Sequence, residues 1–329
     1  MNRAAAARPR PRPAGITGRA WWPWLKRAAT VVFFMLVAWL LVTQARAVEW
    51  REVFAALANY PLAALLGAVA LALLSLTLYS CFDLLGRHYT GHTLRTWTVL
   101  RITFISYMFN LNLGSLVGGV AFRYRLYSRQ GLDTGQITRI MSLSMLTNWT
   151  GYLLLGGVIF GFHVPALPPD WKVGSAGLQI AGFVMLALAL GYLLLCAVSR
   201  QRKFSLRGHE LHLPSLRLAA LQLSMGAANW LLMSGVVFML LQQKIAFPTV
   251  VSVLLVAAVA GVITHVPAGL GVLEAVFVVL LSHLLPSHEL LAALLAYRAI
   301  YYLAPLTLAA SLYLVAETRA KKSPPPVRG

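Results

Sequence analysis

A glutamate lies inside an apolar stretch of this sequence, directly after a segment that cannot stay helical. Glu274 follows residues 265–271, in which Pro267, Gly269 and Gly271 interrupt helical hydrogen bonding. A helix that begins after such a break presents free backbone N–H groups, which together with the helix dipole favour an anion. Glu274 could cap that dipole in a plain hairpin turn, or it could pair with a cation. Because a carboxylate inside a bilayer is costly, we interpret the segment as functional.

Two arginines are the candidate cations of the same site. Arg298 lies about two turns inside the last apolar run, so it needs a snorkelling route or a partner, and Glu274 is the natural one. Arg123 and Arg125 form a fork suited to phosphate. Arginines at that position can also act only as membrane anchors, and this alternative stays open for Arg125. Arg123, which lies nearest to a pair of glycines, is the better candidate for phosphate.

Small and polar residues complete the candidate site. Asn110 and Asn112 are amides in an apolar setting, and Gly118 and Gly119 permit close backbone approach. His265 adjoins the second break, where packing with a backbone hydrogen bond is favoured over a role in proton transfer. The residues predicted to bind a lipid headgroup are Asn110, Asn112, Gly118, Gly119, Arg123, Arg125, His265, Pro267, Gly269, Gly271, Glu274 and Arg298.

The sequence gives little support for catalysis or metal binding. His88 and His92, like His209 and His212, form pairs without a nearby third ligand, so we predict no metal site. No nucleotide-binding loop or nucleophile elbow is visible in the sequence. The chain has nine acidic residues, which leaves few groups for acid–base chemistry. We therefore predict no catalytic residue and no cofactor.

The composition indicates the fold class. Of 329 residues, 59% are hydrophobic and 11% are charged, and the mean hydropathy is +0.73. A soluble domain averages about 25% charged residues. The apolar runs are long enough to cross the roughly 30 Å hydrocarbon layer as helices of about 20 residues, and the alternation of a membrane barrel is absent from the sequence. Because backbone in lipid must satisfy its own hydrogen bonds, the sequence predicts an all-α polytopic membrane protein.

The placement of the positive charge predicts the topology. The net charge is +19, but the basic residues do not form the stripe with interleaved aromatic residues that is typical of nucleic-acid binding. They lie in both terminal tails and in the loops 87–101, 123–139 and 200–217. Basic segments face the cytoplasm, beside anionic headgroups. We therefore expect both termini to be cytoplasmic and the partner to be membrane phospholipid, not nucleic acid.

The apolar runs suggest two halves of opposite orientation. About six full spans are predicted, with two broken stretches at 97–120 and 249–285, each either a broken or re-entrant hairpin or a pair of short spans. The order helix, helix, broken hairpin, helix occurs twice, as in inverted-repeat transporters, although any eight apolar segments can be divided in this way. A single transmembrane domain 27–316 is predicted, with halves of about 27–165 and 175–316, between disordered cytoplasmic tails 1–26 and 317–329.

Three motifs, in order, resemble those of a known family. Residues 109–112 with 118–125 resemble the first signature of the lysylphosphatidylglycerol synthetase/flippase transmembrane-domain family, which includes the membrane half of MprF-type proteins and stand-alone YbhN-like inner-membrane proteins. Residues 266–274 resemble its second signature, with Ala268 in place of the commoner glycine. Tyr297-Arg298 with Pro305 resembles the third.

The resemblance implies a lipid-handling protein of the bacterial cytoplasmic (inner) membrane. It implies a flippase-like or transporter-like activity on anionic or modified phospholipid. Little chain follows Val315, so we expect no lipid aminoacyl-transferase domain and do not predict an enzyme. Two alternatives stay open: a non-transporting lipid-binding partner of a lipid synthase and, with less support, an intramembrane lipid-modifying enzyme.

Overall fold

The computed structural model describes residues 51, 54–55, 58–162, 175–199, 203–206, 209–264, 266 and 269–322. The predicted tail 1–26, the first apolar run at 28–43 and residues 323–329 lie outside this part of the chain.

The described chain is built from helices of very different lengths. In order they are α1 Leu62–Ser80, α2 Phe82–Thr90, α3 Thr96–Leu113, α4 Phe122–Ser128, α5 Thr134–Phe162, α6 Ser175–Val198, α7 Leu216–Leu240, α8 Phe247–Thr264, α9 Val272–Leu281, α10 Ser287–Tyr297 and α11 Ala304–Lys322. Two π-helical segments, Ser115–Ala121 and Arg298–Leu303, precede α4 and α11. Two short strands, β1 Lys203–Leu206 and β2 His209–His212, pair antiparallel between α6 and α7.

Six stretches of the described chain are long and apolar enough to cross a bilayer. They are Leu62–Thr90, Thr134–Phe162, Ala176–Val198, Leu216–Leu240, Phe247–Thr264 and Ser287–Thr318. The prediction of an all-α polytopic membrane protein with about six full spans is confirmed. The fifth stretch forms the first arm of the broken segment predicted at 249–285, and it is an 18-residue helix. Residues 249–260 contain no Pro or Gly, and the helix continues through Gly261 to its end at Thr264.

Both predicted interruptions are present at their expected positions. The first falls at Gly114, whose φ of 85° ends α3 before the π-helical segment. The second contains Gly269 and Gly271, with φ values of 56° and 77°, and α9 begins directly after it. Positive φ is easily adopted only by glycine, which explains why these residue types mark the breaks. The inverted relation between the two halves stays a prediction.

Glycines allow the long helices to cross at close range. A Cβ on Gly151 of α5 would lie 2.2 Å from the carbonyl carbon of Gly226 of α7, and one on Gly182 of α6 would lie 2.4 Å from the backbone nitrogen of Gly161. Small residues at such crossings are typical of helix packing in lipid. The outer face of α6 exposes leucines such as Leu188 and Leu194, as expected where hydrocarbon is the solvent. These crossings hold α5, α6 and α7 together as one side of the domain.

Candidate functional site

The second interruption places an ion pair inside the fold. Arg298 donates from Nε to one carboxylate oxygen of Glu274, and from Nη2 to the other at 3.0 Å. The same Nη2 donates to the backbone carbonyl of Gly269 at 2.9 Å. The side chains are only 11% and 16% exposed. The predicted pairing of Arg298 with Glu274 is therefore confirmed, and the broken segment itself supplies a third contact.

The local helix geometry explains how Arg298 reaches the break. Arg298 is the first residue of the π-helical segment Arg298–Leu303. Pro305 lies two residues after the end of this segment. It has no N–H to donate to the carbonyl of Tyr301, so the regular α-helical hydrogen bond is lost there. A widened turn of this kind is common at functional positions. The guanidinium also lies 5.4 Å from the ring centre of Tyr302, a cation–π distance.

The first interruption is packed against its own preceding helix. A Cβ on Gly118 would lie 2.0 Å from the carbonyl oxygen of Phe109, and one on Gly119 would lie 2.8 Å from Oδ1 of Asn110. Only glycine fits these two positions without a shift. The predicted close backbone approach is thus observed, although here it serves packing of the π-helical segment on α3.

One amide connects the first interruption to the helix that carries Arg298. Asn112 donates from Nδ2 to Met108 O at 2.8 Å and to Tyr302 O at 3.5 Å. A π-helical turn changes the pairing of backbone carbonyls, and a side-chain amide can supply the missing donor. Asn112 therefore links α3 to the π-helical segment that begins at Arg298.

A second buried ion pair was missed by the sequence analysis. Arg123 Nη2 lies 3.2 Å from Asp83 Oδ1, and the side chains are 4% and 0% exposed. Arg123 Nη2 also donates to Ser144 Oγ at 3.2 Å, and Tyr127 OH donates to Asp83 Oδ2 at 2.9 Å. The signal available in the sequence was a lone aspartate at the end of an apolar run, in a chain with nine acidic residues.

A chain of buried hydroxyl groups lies beside the second π-helical segment. Ser75 donates to Asn229 Oδ1 at 2.8 Å and lies 2.8 Å from Tyr301 OH, which lies 3.4 Å from Tyr107 OH. All four residues are buried. Because Ser75 donates its only proton to Asn229, it accepts from Tyr301. The chain ties the segment that begins at Arg298 to α1, α3 and α7, and so fixes the position of the Arg298 guanidinium.

Arg125 lies apart from both buried pairs. It donates to Glu317 Oε1 at 3.1 Å, and Arg129 donates to Glu317 Oε2 at 2.6 Å. This hydrogen bonding raises the pKa of Arg129 above its ordinary value. Glu317 belongs to α11, which runs to Lys322, past the predicted tail boundary at 316. Of its two cationic partners, Arg125 belongs to α4 and Arg129 follows that helix directly.

Two predicted site residues, His265 and Pro267, lie outside the described residues. Of the rest, the structure brings Gly269, Glu274 and Arg298 together and connects Asn112 to the same helix. Arg123 lies in its own pair with Asp83. Within the described ranges, no group of three or more His, Cys, Asp or Glu side chains could hold a metal ion.

Comparison with known proteins gives a consistent result over nearly the whole chain. Residues 27–309 match the family described as "Lysylphosphatidylglycerol synthase TM region". The inner membrane protein YbhN of Escherichia coli is 46% identical over 302 residues, which cover 92% of this chain and 95% of that protein. An uncharacterised protein of Synechocystis is 32% identical over 78% of this chain and 80% of its own length. A phosphatidylglycerol lysyltransferase of Staphylococcus haemolyticus is 24% identical over 64% of this chain, a match that spans 25% of that protein.

Proposed function

Because the chain belongs to the lysylphosphatidylglycerol synthase transmembrane-region family, we propose that it is a multi-pass inner-membrane protein that moves anionic or modified phospholipid between leaflets. The observation that carries the proposal is the pair of Arg298 and Glu274 beside the carbonyl of Gly269. Both residues belong to apolar segments of the chain, in which charged residues usually have a functional reason to be present.

The pair offers both charges that a phospholipid headgroup can require. The guanidinium of Arg298 is planar and binds the oxygens of a phosphate in a bidentate manner. The carboxylate of Glu274 can accept a hydrogen bond from an ammonium group where the headgroup carries one. Both side chains retain partial exposure, 11% and 16%. A headgroup could therefore displace one partner without unfolding the segment.

The energetic argument favours exchange of partners over separation of charges. An isolated Arg or Asp at the centre of a spanning helix costs about 2.5–3.5 kcal/mol on insertion scales. If a phosphate replaces Glu274 beside Arg298, the guanidinium stays compensated, and the released carboxylate must take up a proton or pair with an ammonium group of the headgroup. The backbone carbonyl of Gly269 continues to accept from the same nitrogen during that exchange. A lipid headgroup that takes part in the exchange therefore lowers the free-energy cost of breaking the pair.

The proposal is tested by reconstitution of the protein in vesicles that contain fluorescent phosphatidylglycerol. We expect faster leaflet exchange than in empty vesicles, and loss of that increase in Glu274→Gln and in Arg298→Ala. Glu289→Gln is the matched control, because Glu289 pairs with Lys244 where both side chains are about a third or more exposed. Exchange at the rate of empty vesicles by the wild-type protein contradicts the proposal.

The same preparations distinguish the other interpretations. A non-transporting partner of a lipid synthase would co-purify with lipid and with a second membrane protein, and Glu274→Gln would leave exchange unchanged. A lipid-modifying enzyme would change the mass of the added phospholipid, and Glu274→Gln would stop that change. Either result, with no acceleration of exchange, replaces the transport proposal.

A further inference from the structure

An apolar groove opens between α1, α3, the second π-helical segment and α11. Ala299 and Ile300, which follow Arg298, line it, but neither Glu274 nor Arg298 does. Its volume is about 640 Å³, within the range of small-molecule sites. Its walls include Val69, Leu73, Phe104, Leu308 and Leu312. We call it the α1–α3–α11 groove.

The polar residues of this groove lie towards one end. Arg101 belongs to the second turn of α3, Trp97 to its first turn, and Ser80 is the last residue of α1. The positive-inside pattern predicts that this end faces the cytoplasm, because the loop 87–101 is basic. Trp97 is 71% exposed, as expected for an aromatic residue at a membrane interface. The groove therefore has a cationic, interfacial end and an apolar interior.

The length of the groove matches one leaflet. Val69 and Ser80 both line it, and the helix between them rises about 16 Å. Half of the roughly 30 Å hydrocarbon layer is about 15 Å. An extended acyl chain that starts at the headgroup region would reach the far end of the groove near the midplane.

The charge of Arg101 also calls for a negative partner. Within the described ranges, no acidic side chain forms an ion pair with it. The side chain is half-buried and lines a groove that is otherwise almost wholly apolar. A phosphate at the interface would compensate this charge, whereas a purely apolar occupant, such as a helix, would leave it beside hydrocarbon.

We propose that the α1–α3–α11 groove binds one phospholipid, with an acyl chain along α1 and the phosphate on Arg101. The inference goes beyond the proposed function, because it requires binding of a lipid and no movement between leaflets. It also assigns the groove to a membrane lipid rather than to residues 28–43 of this chain or to a second copy.

The test uses nanodiscs of phosphatidylcholine that contain phosphatidylglycerol with a photoactivatable acyl chain. After illumination of the full-length protein, cross-linked peptides are identified by mass spectrometry. We expect cross-links to concentrate on α1, α3 and α11. Arg101→Gln should lower their yield about tenfold, as for the loss of one charge-assisted hydrogen bond. Ala304→Phe, which places a ring in the groove, should lower it similarly.

Matched variants separate this effect from general damage. Arg139→Gln removes an exposed arginine of α5, and Ala187→Phe enlarges an exposed residue of α6; neither residue lines the groove. Both should leave the yield unchanged. Arg101→Gln adds no bulk, so it tests the site even if Ala304→Phe fails to fold.

Three results would overturn the inference. They are equal labelling of α6 and the groove, an unchanged yield in Arg101→Gln, and labelling of residues 28–43 in place of α1, α3 and α11. Glu274→Gln keeps groove labelling if the inference holds, whatever happens to leaflet exchange. Failure of transport with labelling that still depends on Arg101 therefore rejects the proposed function alone.

Discussion

The guanidinium of Arg123 lies 3.2 Å from the carboxylate of Asp83, and both side chains are sealed from solvent. Asp83 belongs to α2 and Arg123 to α4, which follows the first interruption directly. Ser144 of α5 and Tyr127 of α4 complete the set of partners. The pair thus fixes the chain after the first break to the end of the first spanning stretch and to α5.

Removal of Arg123 should destabilise the protein strongly. Arg123→Ala leaves the Asp83 carboxylate buried without its cation, a change that typically costs about 3–5 kcal/mol. We expect the free energy of unfolding in detergent micelles to fall by that amount. The nine tryptophans provide the fluorescence signal for a denaturant titration.

The double variant Asp83→Asn with Arg123→Met is the informative control. It removes both charges while the amide can still accept from Tyr127, so it should lose less stability than Arg123→Ala. Arg139→Ala, at an exposed position, should have little effect. If the double variant were less stable than Arg123→Ala, burial of an unpaired charge would not be the dominant cost.

Much of the fold follows from the sequence because lipid restricts the chain to helices. Long apolar runs predicted the spanning stretches, and Pro and Gly predicted both interruptions. The charge inventory predicted the Arg298–Glu274 pair, since a buried arginine near a buried glutamate has few other partners. These features depend on local composition or on the small number of charged residues within apolar runs, and both can be determined from the sequence.

Other features depend on three-dimensional contacts that local patterns do not specify. Asp83 was missed because it lies at the edge of an apolar run, where a charge has an ordinary explanation. The hydroxyl chain through Ser75 and Tyr301 joins residues 226 positions apart. The small-residue crossing of Gly151 and Gly226 is equally non-local. No periodicity within one helix encodes the identity of the facing residue on another.

Reversal of the second ion pair should fail to restore function. In Glu274→Arg with Arg298→Glu, opposite charges are still paired. However, the carbonyl of Gly269 then faces a carboxylate in place of the Nη2 donor that lies 2.9 Å away. We expect the double variant to remain as inactive in leaflet exchange as Arg298→Ala. Recovery to wild-type exchange would show that the pair needs only net neutrality.

Arg298→Lys tests the geometry of the same pair with a smaller change than the charge reversal. Lysine keeps the charge but lacks the planar fork that contacts both oxygens of Glu274 and the Gly269 carbonyl. We expect exchange to fall at least partway towards the rate of Arg298→Ala, while the melting temperature in micelles stays closer to wild type than that of Arg298→Ala. Full activity of Arg298→Lys would argue against bidentate recognition of phosphate.

The left-handed conformation of Gly269 should be required at the second break. Gly269→Ala introduces a Cβ at a φ of 56°, and no atom of the described residues lies within 4 Å of it, so the expected cost is that of the backbone. The expected loss is about 1 kcal/mol. Gly261→Ala is the control, because that helical position is equally open but has no positive φ. It should stabilise slightly, and equal effects of the two changes would exclude backbone strain as the cause.

The cluster of Arg125, Arg129 and Glu317 should respond to salt in a way that the buried pairs do not. Arg125 is 52% exposed and Arg129 34% exposed, so water and ions screen their attraction to Glu317. Glu317→Gln should lower the melting temperature slightly in low salt and hardly at all in about 1 M salt, where the screening length is near 3 Å. The loss caused by Arg123→Ala should be nearly the same in both solutions, because no solvent reaches that pair. A loss in Glu317→Gln that equals that of Arg123→Ala and persists in high salt would mean that the end of α11 is held as firmly as the core.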